Sequence, residues 1–237
     1  MDLHGDHTST CTAHSGATKA HDWMVSVLGP LFRTAGHVVR TQHGVTASAG
    51  QRRGDVEVRN YLRDLAGSRS LVFDLSIAHD RFGSSSHVQQ NGCLSHPQDL
   101  DAPLHIAAQR KIAAYQQQYA DNQNISFLPA IVSTSTRMHG EFLRLLFLQA
   151  HRETEAHFTA AGMSSQNINS ETLWFKRAAF YNCLKRKVGL EAAKVAALWV
   201  NLNVQGCGIV APLPLALPIC SPSFFHTISL PPAFTSA

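Results

Sequence analysis

The sequence predicts an α/β fold in which a small mixed sheet is flanked by helices. Two segments and one ordering predict it. Arg52 to Val58 and Leu71 to Ile77 each alternate apolar and polar side chains, the period of a half-buried strand. Around them the patterns run helix, strand, strand, strand, helix, strand, helix, the layout of helices laid on one compact sheet. Hydrophobic residues make up 44% of the 237-residue chain, enough for the core of one domain with appendages.

Taken in order, residues 1–21 are rich in His, Thr, Ser and Gly and read as irregular. Residues 23–35 form a first helix through Met24, Val27, Leu28, Leu31 and Phe32, with Asp22 as N-cap, Gly36 as C-cap and a kink at Pro30. A strand over 37–45 and a turn over 46–50 lead into the two alternating segments. The stretch 60–69, with Gly67-Ser68, reads as the loop that lets those two strands pair antiparallel. A long loop spans 83–101. The helix over 104–119 has Pro103 in its first turn and points Ile106, Ala107, Ile112 and Tyr115 inward. A strand over 125–132 contains Pro129, and the helix over 140–158 buries Phe142, Leu143, Leu145, Leu146, Phe147 and Ala150. Two further helices are expected at 173–188 and 191–200. No charged residue follows Lys194, and six of the ten prolines fall from Pro212 onward, so 205–237 is expected to be a disordered tail. The organisation expected is therefore a short N-terminal segment (1–21), the α/β domain (22–160), a helical extension (161–204) and the tail.

The polar side of the two strands carries the chemistry. Asp55 and Glu57 share one face of the first, opposite Val56 and Val58. Asp74 and Ser76 share a face of the second with Val72, opposite Leu71, Phe73, Leu75 and Ile77. An antiparallel hairpin sets Asp55 beside Asp74. An unpaired carboxylate buried in a strand as apolar as this one costs several kcal/mol, so a partner or an ion is expected. Two adjacent carboxylates hold a divalent cation, which phosphodiester cleavage needs. The surroundings suit a phosphate-bearing partner: net charge is +4, and from Trp23 to Gly54 there is no acidic residue while Arg33, Arg40, Arg52 and Arg53 are basic.

Other classes are disfavoured. Five cysteines without tight spacing fit reduced thiols in an intracellular compartment rather than a disulfide scaffold. The N-terminus lacks a signal-peptide pattern, and the most apolar region is broken by prolines, so no membrane span is expected. His79, His87, His96 and His105 lack ligand spacing, and Cys183 and Cys207 lack a His/Asp arrangement. Lys185-Arg186-Lys187 reads as a solvated helix end that could touch phosphate or aid nuclear entry.

With these residues placed, the segment from Asp2 to His157 resembles the restriction-endonuclease-like domain at the C-terminal end of non-LTR retrotransposon reverse transcriptase polyproteins, a branch of the PD-(D/E)XK nucleases. Arg53-Gly54-Asp55-Val56 is similar to the basic-Pro-Asp-apolar strand of that family, and Leu71 to Ser76 to its apolar-Asp-apolar-Ser/Thr strand. Ala107 to Tyr115 resembles the downstream helix with Lys and Tyr one turn apart, and Ile125 to Ala130 the late strand before a Gly and a long helix. Asp2 to His7, Cys11, Gly16 and His21-Asp22 resemble the segment preceding the nuclease, which closes a zinc knuckle.

The resemblance implies a metal-dependent endonuclease acting on DNA, nuclear if functional. Asp55 and Asp74 would hold Mg²⁺ or Mn²⁺, with Glu57 completing the shell through water. Ser76 stands where the motif has Lys, so Lys111 is implied as the substitute, supported by Tyr115, with its amine turned to the carboxylates and its loss costing little stability. Gly54 stands where the motif has Pro. The last knuckle ligands would be His7 and Cys11, but the Cys-X-X-Cys pair expected upstream of them is missing. Two ligands do not close a structural zinc site, so a truncated copy without zinc is expected. The alternatives are a catalytically inactive DNA-binding remnant and a relic reading frame.

Overall fold

The computed structural model describes residues 16–34, 36–41, 54–64, 67–83, 87–120, 124–163 and 168–206. It is an α/β structure with one four-stranded mixed sheet flanked by helices.

Helix α1 (Gly16–Arg33) begins earlier than the sequence predicts. Gly16 and Ala20 are buried and extend the Met24–Leu28 stripe by two turns, so Asp22 lies inside the helix rather than capping it. Pro30 sits in the last turn, where its carbonyl still accepts from Thr34 N–H at 3.2 Å. Gly36 then turns the chain at φ +80°, a conformation other residues adopt only at a cost.

The sheet consists of β1 (Val39–Thr41), β2 (Val56–Asp64), β3 (Gly67–Ala78) and β4 (Ile125–Ser133), in that spatial order. β1–β2 and β2–β3 are antiparallel, and β3–β4 is parallel. The hairpin is longer than expected: the loop predicted over 60–69 is mostly strand. Asn60 takes a left-handed φ of 54°, and the register shifts between Val58 and Leu62, so this turn-prone residue makes a bulge instead of a turn. The first strand begins at Val39 rather than at 37, and its expected continuation over 42–45, the turn at 46–50, Arg52 and Arg53 lie outside the described residues.

The crossover from β3 to β4 runs through a single 3₁₀ turn (Val88–Gln90) and helix α2 (Ala102–Ala120). On α2, Leu104, Ala108 and Tyr115 are buried, but Ile112 is 46% exposed, contrary to expectation. β4 is an edge strand, which explains how it tolerates Pro129.

Helix α3 (Gly140–Ala160) buries Phe142, Leu145, Leu146 and Ala150 as expected, while Phe147 is 43% exposed. The two helices expected next are one, α4 (Ser170–Gly206). Its buried residues Leu184, Val188, Ala192, Val195 and Trp199 recur every three or four positions, so the stripe passes Gly189 without a break. They join the core made by α1, α3 and the inner sheet face (Val56, Val58, Leu71, Phe73, Leu75). The helical extension thus packs into the main core.

Residues 1–15 and 207–237 lie outside the described residues, while 16–20 and 205–206, expected to be poorly ordered, belong to helices. Among the described residues no helix is long and apolar enough to cross a membrane.

Candidate active site

The hairpin register decides where the carboxylates fall. Val56 pairs with Phe73, so Asp55, one residue before β2, comes level with Asp74. Both lie on the sheet face opposite Phe73 and Leu75, and both are buried, at 7% and 3% exposure. The chain reaches this position through Gly54. A Cβ there would stand 2.6 Å from Val72 Cγ1 and 2.9 Å from the Phe73 carbonyl oxygen, so only glycine fits this approach. The departure from Pro at this position is therefore steric as well as conformational.

Each carboxylate is met by a basic side chain from a different helix. Asp55 Oδ2 accepts from Leu75 N–H at 2.7 Å and lies 2.9 Å from His21 Nε2 of α1. The other ring nitrogen, Nδ1, is 3.4 Å from Asp22 Oδ1. The hydrogen bond to Asp55, against the opposing effect of burial, holds the His21 imidazole above its usual pKa. Asp74 Oδ2 is paired with the Lys111 ammonium of α2. Among the described residues no other donor reaches this buried oxygen.

The two carboxyls interact and titrate apart. Burial pushes Asp55 upward, but His21 and the Leu75 N–H outweigh it and hold this carboxyl below the usual carboxylate range. Burial, reinforced by the neighbouring Asp55 charge and only partly opposed by Lys111, raises Asp74. Unequal environments for paired carboxyls are the pattern of acid–base sites, and structural ion-pair networks produce it too.

Tyr115 lies one turn beyond Lys111, buried against Phe127 with ring centroids 4.9 Å apart, and its ring centre is 6.0 Å from Lys111 Nζ. Glu57 occupies the same sheet face but turns to Arg59, 3.7 Å from its Nε, and not to the aspartate pair. Ser76 and Lys111 line an open cleft of about 590 Å³, together with His79, His96 and Arg110. His7 and Cys11 lie outside the described residues.

The structure therefore brings Asp55, Asp74, Lys111 and Tyr115 together and leaves Glu57 aside. His21 is the residue that sequence reasoning missed as a site member. Its signal was a His on the exposed side of an apolar helical stripe, which says nothing of the strand it reaches 34 residues later.

The side chains that could hold a hard divalent cation here are Asp55 and Asp74, since Mg²⁺ takes one or two carboxylates and fills the rest of its octahedron with water and substrate oxygens; Asp74 Oδ2 already carries the Lys111 ammonium and Asp55 Oδ2 the His21 ring. Among the described residues no group of three or more His, Cys, Asp or Glu side chains is placed to hold a metal. No protein-family model matches the chain, and no curated protein is detectably similar to it.

Proposed function

We propose that this chain carries a restriction-endonuclease-like domain that nicks DNA. The observation that supports the reading is the juxtaposition of Asp55, Asp74 and Lys111 on one face of a mixed sheet. Asp55 and Asp74 hold Mg²⁺ or Mn²⁺, which when bound supplies an activated water and charge stabilisation at phosphorus. Lys111 takes the role that Ser76 cannot fill, its ammonium orienting the attacking water and offsetting the charge that develops at phosphorus. Tyr115 and Phe127 form the wall against which the Lys111 stem is held. His21 fixes the Asp55 carboxylate through its Oδ2. Glu57 contributes through water, once released from Arg59. The DNA strand lies along the cleft beside Arg110 and Lys111. A domain of this kind works in the nucleus.

The test is conversion of supercoiled plasmid to the nicked form, wild type against Asp74→Ala, with Mg²⁺ or Mn²⁺. Nicking that requires both the metal and Asp74 supports the reading, and metal-independent nicking, or nicking retained in the variant, contradicts it.

One observation favours the alternative of an inactive DNA-binding remnant. Both carboxylates already face a basic side chain of the protein, His21 on Asp55 and Lys111 on Asp74, so their charge is compensated without a metal. Salt-sensitive DNA binding without nicking supports that alternative.

A further inference from the structure

Helix α4 carries a surface that the aspartate site does not use. Between Glu171 and Glu191 it has no acidic residue and five basic ones, Lys176, Arg177, Lys185, Arg186 and Lys187. The basic run 185–187 is not a helix end, as the sequence suggested, but lies in the middle of a continuous helix, with all three side chains exposed. Near the start of the same helix Trp174 and Phe175 are 62% and 59% exposed, the first being the most exposed large hydrophobic side chain described.

The spacing aligns the two groups. Trp174 and Phe175 precede Lys185 and Arg186 by eleven residues each. Eleven residues are close to three helical turns, so each ring stands almost directly in line with a cation about 16 Å further along. The Phe175–Arg186 line is on the side away from the buried stripe of Leu184, Val188, Ala192 and Val195, and the Trp174–Lys185 line runs along the flank of that stripe, Trp174 standing about five turns before Ala192. The rings are nearly perpendicular, at 78° with centroids 5.6 Å apart, so they do not stack on each other and each keeps a face for a partner.

We propose that this side of α4 binds single-stranded nucleic acid, with bases stacked on Trp174 and Phe175 and phosphates on Lys185 and Arg186. Single strands are the chemistry that uses both parts, because an exposed ring needs an unpaired base and a row of cations needs a backbone. Duplex DNA offers phosphates but no free base face. An anionic membrane fits less well, since a membrane-surface helix presents a continuous apolar stripe outward and the stripe of α4 faces the core. The proposal is independent of phosphodiester cleavage.

The test uses the full chain and fluorescence anisotropy of a labelled oligothymidylate across a salt series, with the same RNA sequence and a duplex as competitors and phosphatidylserine vesicles as a separate arm. Either single strand competing better than duplex supports the proposal. Lys185→Gln/Arg186→Gln should lower the salt slope by about 1.4, two phosphate contacts at about 0.7 each for a single strand. Trp174→Ala should weaken binding about tenfold with little change in that slope. Quenching of tryptophan fluorescence by the oligonucleotide should disappear in Trp174→Phe. Far-UV dichroism and thermal midpoints establish that these surface variants are folded. Asp74→Ala should bind as wild type does, which separates this surface from the aspartate site. Unchanged binding in both α4 variants, equal competition by duplex, or loss of vesicle binding with oligonucleotide binding intact overturns the proposal.

Discussion

His21 on helix α1 reaches Asp55 at the start of β2, 2.9 Å between Nε2 and Oδ2, while Lys111 on helix α2 meets Asp74 on the adjacent strand. The two carboxylates are thus held by basic groups delivered from different helices, and the hairpin between them is tied to both.

The first link makes stability depend on pH in a defined window. The His21 pKa is raised above 6.5, so its contribution is complete below that value and is lost as pH rises through the raised one. Asp55 is lowered below 3.8, so its contribution is present above that value and is lost as pH falls through the lowered one. Between 3.8 and 6.5 both are in place. In urea denaturation, His21→Gln should lower the midpoint at about pH 5 relative to that at about pH 8, narrowing or reversing the difference seen in the wild type. With its side chain 32% exposed, His21 should contribute about 1 kcal/mol, below the usual range for a charged hydrogen bond. An unchanged difference in the variant would show that this pair does not set the pH dependence.

Asp74 has the opposite sign. Its pKa is raised, so ionisation at neutral pH costs stability, and the cost grows as pH rises from 3.8 through the raised value. Asp74→Asn should therefore abolish nicking yet leave the thermal midpoint at neutral pH unchanged or higher. A site kept for chemistry at the expense of stability gives that combination. A clear loss of stability would mean that the carboxylate serves the fold.

The fold was legible where side chains repeat with a period. Strand alternation placed Asp55 and Asp74 on one face, and the Phe142–Ala150 pattern placed α3. The errors came from treating local signals as stops. Asn60 marked a bulge rather than a loop, because the cross-strand pairs beyond it outweigh its turn preference. Asp22 read as a helix N-cap and residues 189–190 as a gap between two helices, yet tertiary burial of Ala20 on one side and of Val188 and Ala192 on the other carries each helix through. The His21–Asp55 contact was not legible, because it depends on how α1 is set against the start of β2 and no local period encodes that.

Gly54 tests the backbone approach to the site. A Cβ there meets Val72 Cγ1 at 2.6 Å and Phe73 O at 2.9 Å, and the second is backbone that cannot swing away. Gly54→Ala should cost about 1–3 kcal/mol, the usual range for overpacking, although alanine loses less chain entropy on folding than glycine. Gly54→Pro should be no better, despite proline being the residue of the motif it resembles. Equilibrium denaturation of the two variants checks this, and a stabilised Gly54→Pro would show that the strand shifts to admit the ring.

Lys111 is the residue for which the structure changes the expected cost. Read from sequence alone, it is an exposed lysine whose loss matters only to activity. Its side chain is instead 29% exposed and set on a carboxylate that is 5% exposed. Removing the ammonium leaves Asp74 buried beside Asp55 with no compensating charge. Breaking a fully buried pair costs about 3–5 kcal/mol, and the partial exposure of Lys111 brings the figure to about 1–2 kcal/mol. Lys111→Ala should thus destabilise the protein as well as abolish nicking. The cause can be isolated by a double-mutant cycle, since contacting residues do not add. In an Asp74→Asn background the charge that Lys111 compensates is gone and Asp55 keeps its own partner in His21, so the same Lys111→Ala change should cost less than about 0.5 kcal/mol. Denaturant titrations of the four proteins give the coupling directly. Equal costs in both backgrounds would place the effect of Lys111 in the packing of its stem against Tyr115 rather than in its charge.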